Sequence, residues 1–287
     1  MLQVALITAA AVGLFAGLRS LPDTECGFLH YDPPVVDGDG IQYCGDDQPV
    51  FIEVASLQYP VKLKLSPERP NLRVGEPVKV LLEVSAKEGE PLAPMELAVT
   101  HTELMHVLVV DPGREDYHHV HPQPIGESGK WEFEFTPQRP GPYRVFAEFV
   151  PLRTQQVVIA NGVIEVLGES TDNAPVDLPE DWTAELVVDP ATPSVNQEAR
   201  LLLKLARADG AKATLEPVMG AYAHLVAFDE GVSGFAHLHP KYTGREKDDA
   251  PQLEFVLNTH ISGDYRVWAQ IKVDGVERFM PFNVRVN

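Results

Sequence analysis

The stretch HVLVVDPGREDYHHVHP at residues 106–122 is echoed by HLVAFDEGVSGFAHLHP at residues 224–240, and this pair decides the reading of the chain. Each is one histidine, twelve intervening residues, then His-x-His-Pro. Each opens on a short apolar run, passes a polar loop containing Gly, and resumes with an aromatic residue two places before the first His of the His-x-His pair. Short apolar runs bounded by Asp, Pro and Gly read as strands, and two such runs joined by a short loop read as a hairpin. Working outward, GPYRVFA (141–147) matches GDYRVWA (263–269), and VKVLLEV (78–84) matches ARLLLKL (199–205). Three blocks recur in the same order, so the chain is an internal duplication.

Between and around these blocks lie further short β-type runs separated by turn residues. WEFEF (131–135) alternates strictly, apolar on one face and charged on the other. No convincing helix follows residue 20. The pattern is that of an all-β chain with two tandem β-sandwich domains. The expected organisation is a signal peptide or membrane anchor at 1–20 and a Cys-containing segment at 21–60. A first sandwich follows at 61–168, a polar, acidic, Pro-containing linker at 169–182 and a second sandwich at 183–287.

Leu2 to Leu18 is an apolar run interrupted only by Gln3 and Thr8. That length fits an export signal or an uncleaved anchor, and places the rest of the chain in the periplasm or outside the cell, secreted or tethered. The segment is the only expected membrane contact. In an oxidising compartment Cys26 and Cys44 read as a disulfide, with a Cys26/His30/Cys44 metal site as the rival. Asp37-Gly-Asp-Gly40 lacks the closing acidic residue of a calcium loop and reads as a turn. The composition, 44% hydrophobic, suits a packed core. A formal charge of −19 repels phosphate backbones and excludes nucleic acid as an expected partner.

Nine of the ten histidines fall within the two repeats. On an extended strand, residues two apart share a face with backbones about 6–7 Å apart, so two imidazoles can converge on one metal. His119 with His121, and His237 with His239, are such pairs. His106 and His224 lie on the preceding strands, and a hairpin brings each to its pair. The expectation is one three-histidine site per repeat, His106/His119/His121 and His224/His237/His239, suited to copper or zinc. Auxiliary ligands are sought in His101, Met105, Glu103 and His118 near the first site, and in Met219 and His260 near the second. The competing reading is structural. Histidines near strand ends bind loop carbonyls, a duplicated domain inherits structural residues, and a His106 facing its own core prevents convergence. Tyr143 and Tyr265 read as packing residues akin to a tyrosine corner. No hydrolase elbow, phosphate loop or zincin helix is present, so catalysis is not expected beyond an open position on a bound metal.

MGAYAHLVAF (219–228), FAHLHP (235–240) and GDYRVWA (263–269) together resemble a poorly characterised family of exported bacterial domains similar to YtkA-like domains. The second repeat follows that pattern with Ala223 where the family usually has Gly. The first repeat matches less closely, with Met105 before His106 and an extra His118. The resemblance implies an Ig-like or cupredoxin-like sandwich and the company of heavy-metal handling systems. The expected function is therefore exported copper or zinc binding for buffering, delivery or resistance, with a membrane metal-transport or efflux system as partner. The alternative is a non-catalytic Ig-like interaction or scaffold protein whose histidines are structural.

Overall fold

The computed structural model describes residues 50–57, 61–86, 89, 91–171, 178–241 and 243–287, with residues 8, 11–15, 35–36 and 42–43. Cys26, Cys44, His30, the turn at 37–40 and most of the apolar run from Leu2 to Leu18 lie outside the described residues. No helix among the described residues is long and apolar enough to cross a membrane.

Each repeat supplies seven main strands. In repeat one these are β1 (Val61–Pro67), β2 (Val78–Ala86), β3 (His106–Val110), β4 (Tyr117–Val120), β5 (Lys130–Phe135), β6 (Gly141–Pro151) and β7 (Val158–Leu167). In repeat two they are β8 (Trp182–Asp189), β9 (Ala199–Arg207), β10 (Ala223–Phe228), β11 (Ala236–Leu238), β12 (Gln252–Leu257), β13 (Gly263–Val273) and β14 (Val276–Val286). One sheet of repeat one runs β1-β2-β5 and the other β7-β6-β3-β4. Repeat two repeats the plan as β8-β9-β12 and β14-β13-β10-β11. These are two tandem Ig-like β-sandwiches of one topology.

The alternation of side chains builds both cores. On β2, Val78, Val80, Leu82 and Val84 are fully buried, while Lys79 and Ser85 between and beyond them face outward or sit half-buried. On β5, Trp131, Phe133 and Phe135 fill the same core. In repeat two Leu201, Leu203 and Leu205 play the part of the β2 valines and leucines. Tyr143 is fully buried, donates its hydroxyl to Asp116 and accepts from the Arg139 amide. Tyr265 donates to the Ile261 carbonyl four residues upstream. Both tyrosines therefore serve packing and corner geometry.

The strands β3 and β10 depart from one-sided alternation, because every residue on them is buried. Val107 and Val109 enter the core of repeat one. Leu108 and Val110 enter a separate apolar cluster that also holds Val226, Phe228 and Trp268 of repeat two. The outer faces of the two four-stranded sheets are thus packed on one another. Tyr117 meets Phe228 and Trp268 with ring centroids at 5.4 and 5.9 Å, and Phe146 meets Phe235 at 5.3 Å. Tyr117 corresponds to Phe235 and Phe146 to Trp268 in the duplication, so the interface has an approximate two-fold axis.

Residues 51–55 act as a strap. They precede repeat one but bind repeat two: the Ile52 and Phe235 amides and carbonyls exchange hydrogen bonds at 2.9 and 3.2 Å, and the Ala55 amide donates to the Ser233 carbonyl. Phe51 enters the core of repeat two, and Ile52 and Val54 enter the interface. The strap pairs with the residues that lead into β11 and satisfies backbone groups of Ser233 and Phe235. Gly234 permits the close approach, since a Cβ there would lie 1.8 Å from the Ile52 carbonyl oxygen.

Candidate metal centre

The hairpin registers set the histidines. His119 on β4 pairs with Leu108 on β3, and His237 on β11 pairs with Val226 on β10. His106 and His224 are two residues along from those partners and project from the same outward face. His106 therefore faces repeat two and not its own core, and His224 faces repeat one. Both are fully buried, and His119, His237 and His239 are nearly so.

Within each triad the rings offer one nitrogen each, and these lie within 4.8 Å of one another. Ring centroids are 5.0–5.3 Å apart for His106, His119 and His121. They are 4.6–5.6 Å apart for His224, His237 and His239. Three imidazoles on one tetrahedral metal, with bonds of about 2.0–2.1 Å, place their centroids about 5 Å apart. Both triads have that spacing.

The sequence placed one site in each repeat, as separate entities. The sheet packing instead pools them. His119 is 5.2 Å from His237 and His106 is 5.7 Å from His237, distances like those inside each triad. His101 of repeat one stacks on His239 of repeat two with centroids 3.7 Å apart. The result is one buried cluster of seven imidazoles between the domains. His101 sits at φ 48 in a tight turn closed by Thr100 and Glu103, and Met219 sits at φ 50 in the corresponding turn closed by Val218 and Ala221.

The other auxiliary residues fall elsewhere. Met105 alternates with His106 and fills the core of repeat one. His118 takes the face opposite His119, pairs with Asp116 at 3.1 Å and packs edge-on to Phe135. His260 pairs with Glu53 at 3.6 Å. Glu103 makes its turn with Thr100, and burial raises its carboxyl pKa.

Two residues that the sequence reading did not single out hold the rings from across the interface. Glu148 pairs with His106 on the sheet of repeat one, and Gln270 pairs with His224 at the same position of repeat two. Each reaches over to the opposite triad. His119 Nδ1 lies 2.9 Å from Gln270 Oε1, and His237 Nδ1 lies 3.5 Å from Glu148 Oε1.

These contacts fix tautomers. Gln270 Nε2 donates to Glu277, so its Oε1 must accept the proton of His119 Nδ1. His119 in its neutral form then presents a lone pair on Nε2. The Thr100 carbonyl accepts from His106 Nε2 at 2.9 Å, so neutral His106 presents a lone pair on Nδ1. Those two lone-pair nitrogens face each other at 3.1 Å. Two nitrogens on one tetrahedral metal are separated by about 3.3 Å. His101 Nδ1, His121 Nε2, both nitrogens of His224, His237 Nε2 and His239 Nε2 are buried with no hydrogen-bond partner among the described residues.

The electrostatics favour the neutral form of six of the seven rings. Burial, then the neighbouring rings, lower His101 and His121 to about 3. Burial, then His237, lower His106 to about 4. His119, His224 and His239 are held well below the usual imidazole range by burial and then by His237 or His101. For Glu148 burial pushes the carboxyl up, but its contact with His237 outweighs that, and the net shift is down.

A family model described as a domain of unknown function, DUF8832, matches the chain twice, over residues 56–168 and 180–287. The chain belongs to the DUF8832 family. The two DUF8832 matches correspond to the two sandwiches, and the strap and the histidine interface arise from how the pair is docked. No curated protein sequence matches the chain. Among solved structures, FdeC, an Escherichia coli adhesin, is 18% identical, covers 78% of this chain and 64% of its own, and aligns with a TM-score of 0.27. A DUF4785 family protein of Legionella pneumophila is 11% identical over 79% of this chain and 57% of its own, with a TM-score of 0.28. A Salmonella α2-macroglobulin is 14% identical over 78% and 16%, with a TM-score of 0.27. The chain spans less than two thirds of each of these proteins, and likenesses this distant bear on neither the site nor the activity of the DUF8832 pair.

Proposed function

We propose that this protein binds copper or zinc at the histidine cluster between its two sandwiches, in an exported setting, for metal buffering, delivery or resistance. The observation that carries the reading is the pair of lone-pair nitrogens, His106 Nδ1 and His119 Nε2, facing each other at 3.1 Å. Such a pair repels unless a cation lies between, and the neutral state of both rings withholds the proton that would otherwise serve. Six further buried ring nitrogens without partners add to the same account, since each costs about 1–3 kcal/mol if left unsatisfied. Neutral imidazole is a good ligand for zinc and copper. The export setting rests on the apolar run from Leu2 to Leu18. The partner in this reading is a membrane metal-transport or efflux system that exchanges ions with the cluster.

A second reading is favoured by the same hydrogen-bond chain. If Thr100, His106, His119 and Gln270 form a single proton-sharing line, the histidines are structural and the protein is an Ig-like interaction or scaffold module. That line needs one ring flipped or protonated. Metal-free chain titrated with zinc and with copper(I) at pH 7.5 separates the two readings. The metal reading expects tight binding that is lost in a His119→Ala, His237→Ala double variant. Absence of binding in the unmodified chain leaves the scaffold reading.

A further inference from the structure

The cross-domain contacts of the cluster are symmetric in position and unequal in chemistry. Glu148 and Gln270 occupy equivalent register positions, opposite His106 and His224, and each holds the central histidine of the other repeat. One is a carboxylate, and the other is a neutral amide. The turn residues differ in the same way: His101 stacks on His239, whereas repeat two has a thioether, Met219, at the corresponding position. The duplication has kept the geometry of the two triads and changed what stands behind them.

From this we infer that the cluster is one dinuclear centre with unequal halves, an inference that rests on the metal reading above. The His224/His237/His239 half, backed by Glu148, takes a divalent ion. The His106/His119/His121 half, backed by Gln270, fills second and accepts a univalent ion, copper(I). The chain therefore holds one zinc ion but two copper(I) ions.

The argument is one of charge. Cross-triad ring separations of 5.2–6.0 Å are only slightly longer than the 4.6–5.6 Å inside the triads, so two bound ions are near neighbours. Repulsion scales with the product of the charges, about fourfold larger for two divalent than for two univalent ions, and burial removes the water that would screen it. Imidazole ligands carry no negative charge and supply no compensation. Glu148 is the one carboxylate in contact with a ring of the cluster among the described residues. Glu277 is solvent-exposed and stands behind the Gln270 amide, one residue further from the metal. A single negative charge balances half the charge of one divalent ion or of two univalent ions, but only a quarter of that of two divalent ions. A carboxylate behind a ligating histidine also raises the basicity of that ligand, which an amide does not do to the same degree.

The test is equilibrium dialysis of the full metal-free chain against zinc alone, and anaerobically against copper(I) alone, each with a competing chelator and metal counted by mass spectrometry. The expected result is one zinc and two copper(I). Gln270→Glu combined with Glu277→Gln places a carboxylate behind His119 without a second one facing it, and is expected to admit a second zinc. Glu148→Gln is expected to weaken zinc by about 10- to 100-fold and copper(I) by less. Two zinc ions of similar affinity in the unmodified chain, a single copper(I), or an unchanged zinc count in the Gln270→Glu, Glu277→Gln variant each overturns the inference while leaving the metal reading standing. Binding of neither metal removes both.

Discussion

Acidifying the metal-free protein from pH 7.5 to 5.5 should undo the interface. His101 and His121 ionise at about 3 in the folded chain and His106 at about 4, against about 6.5 when unfolded. Between those limits the unfolded state binds more protons than the native one, so stability rises with pH. Read downward, the loss begins as pH falls through about 6.5 and grows until the folded values are reached. At pH 5.5 each ring costs about 1.4 kcal/mol, and the three together about 4 kcal/mol. His119, His224 and His239 are shifted in the same direction and add to the loss. Native domains hold only about 5–15 kcal/mol in reserve, so the effect is large. Urea unfolding followed by fluorescence is suited to the measurement, because Trp268 is buried in the interface. Equal stability at the two pH values, or greater stability at 5.5, would refute the buried neutral state of the cluster. Zinc-saturated protein should resist the change to lower pH, because the ion and the protons compete for the same nitrogens.

Three substitutions probe the frame around the cluster. Gly234→Ala drives a methyl into the Ile52 carbonyl, so the strap should detach, with a cost of about 1–3 kcal/mol and faster proteolysis before residue 61. Phe228→Ala empties the centre of the interface, where the ring meets Tyr117 and Phe146, and should cost about 3–5 kcal/mol in urea unfolding together with weaker metal retention. Tyr265→Phe removes the hydroxyl bonded to Thr259 and Ile261 within repeat two, and should cost about 1–3 kcal/mol while leaving metal affinity unchanged.

Much of this architecture is legible in the sequence because strand periodicity is local. The seventeen-residue spacing of residues 106–122 and 224–240 specifies a hairpin, and the hairpin register then brings three rings together in each repeat. The pooling of the triads is a long-range event that local periodicity does not report. Its signal is present: HVLVV and HLVAF are apolar at every position apart from the histidine, which describes a strand buried on both faces. A sandwich accounts for one of those faces, and the second requires another surface. Glu148 and Gln270 carry no local signature, since a polar residue on an outward-facing strand position is ordinary until the opposite sheet arrives. His101 is named by the sequence as an auxiliary of the first site, but nothing local directs its ring to His239 of the other repeat. It reaches the cluster from a turn with left-handed backbone, where alternation gives no direction to a side chain.

The approximate two-fold axis through the histidine interface is the geometry of a self-associated pair of identical subunits, here joined in one polypeptide. A true homodimer must carry the same residue on both sides of its axis. It has to choose two carboxylates or two amides, and its two metal positions are identical by construction. Tethering the copies releases that constraint, and Glu148 against Gln270 is a difference that only a fused pair can encode. A relative with a single repeat would have to complete the same cluster by pairing with another copy of itself, and its two positions would then be indistinguishable.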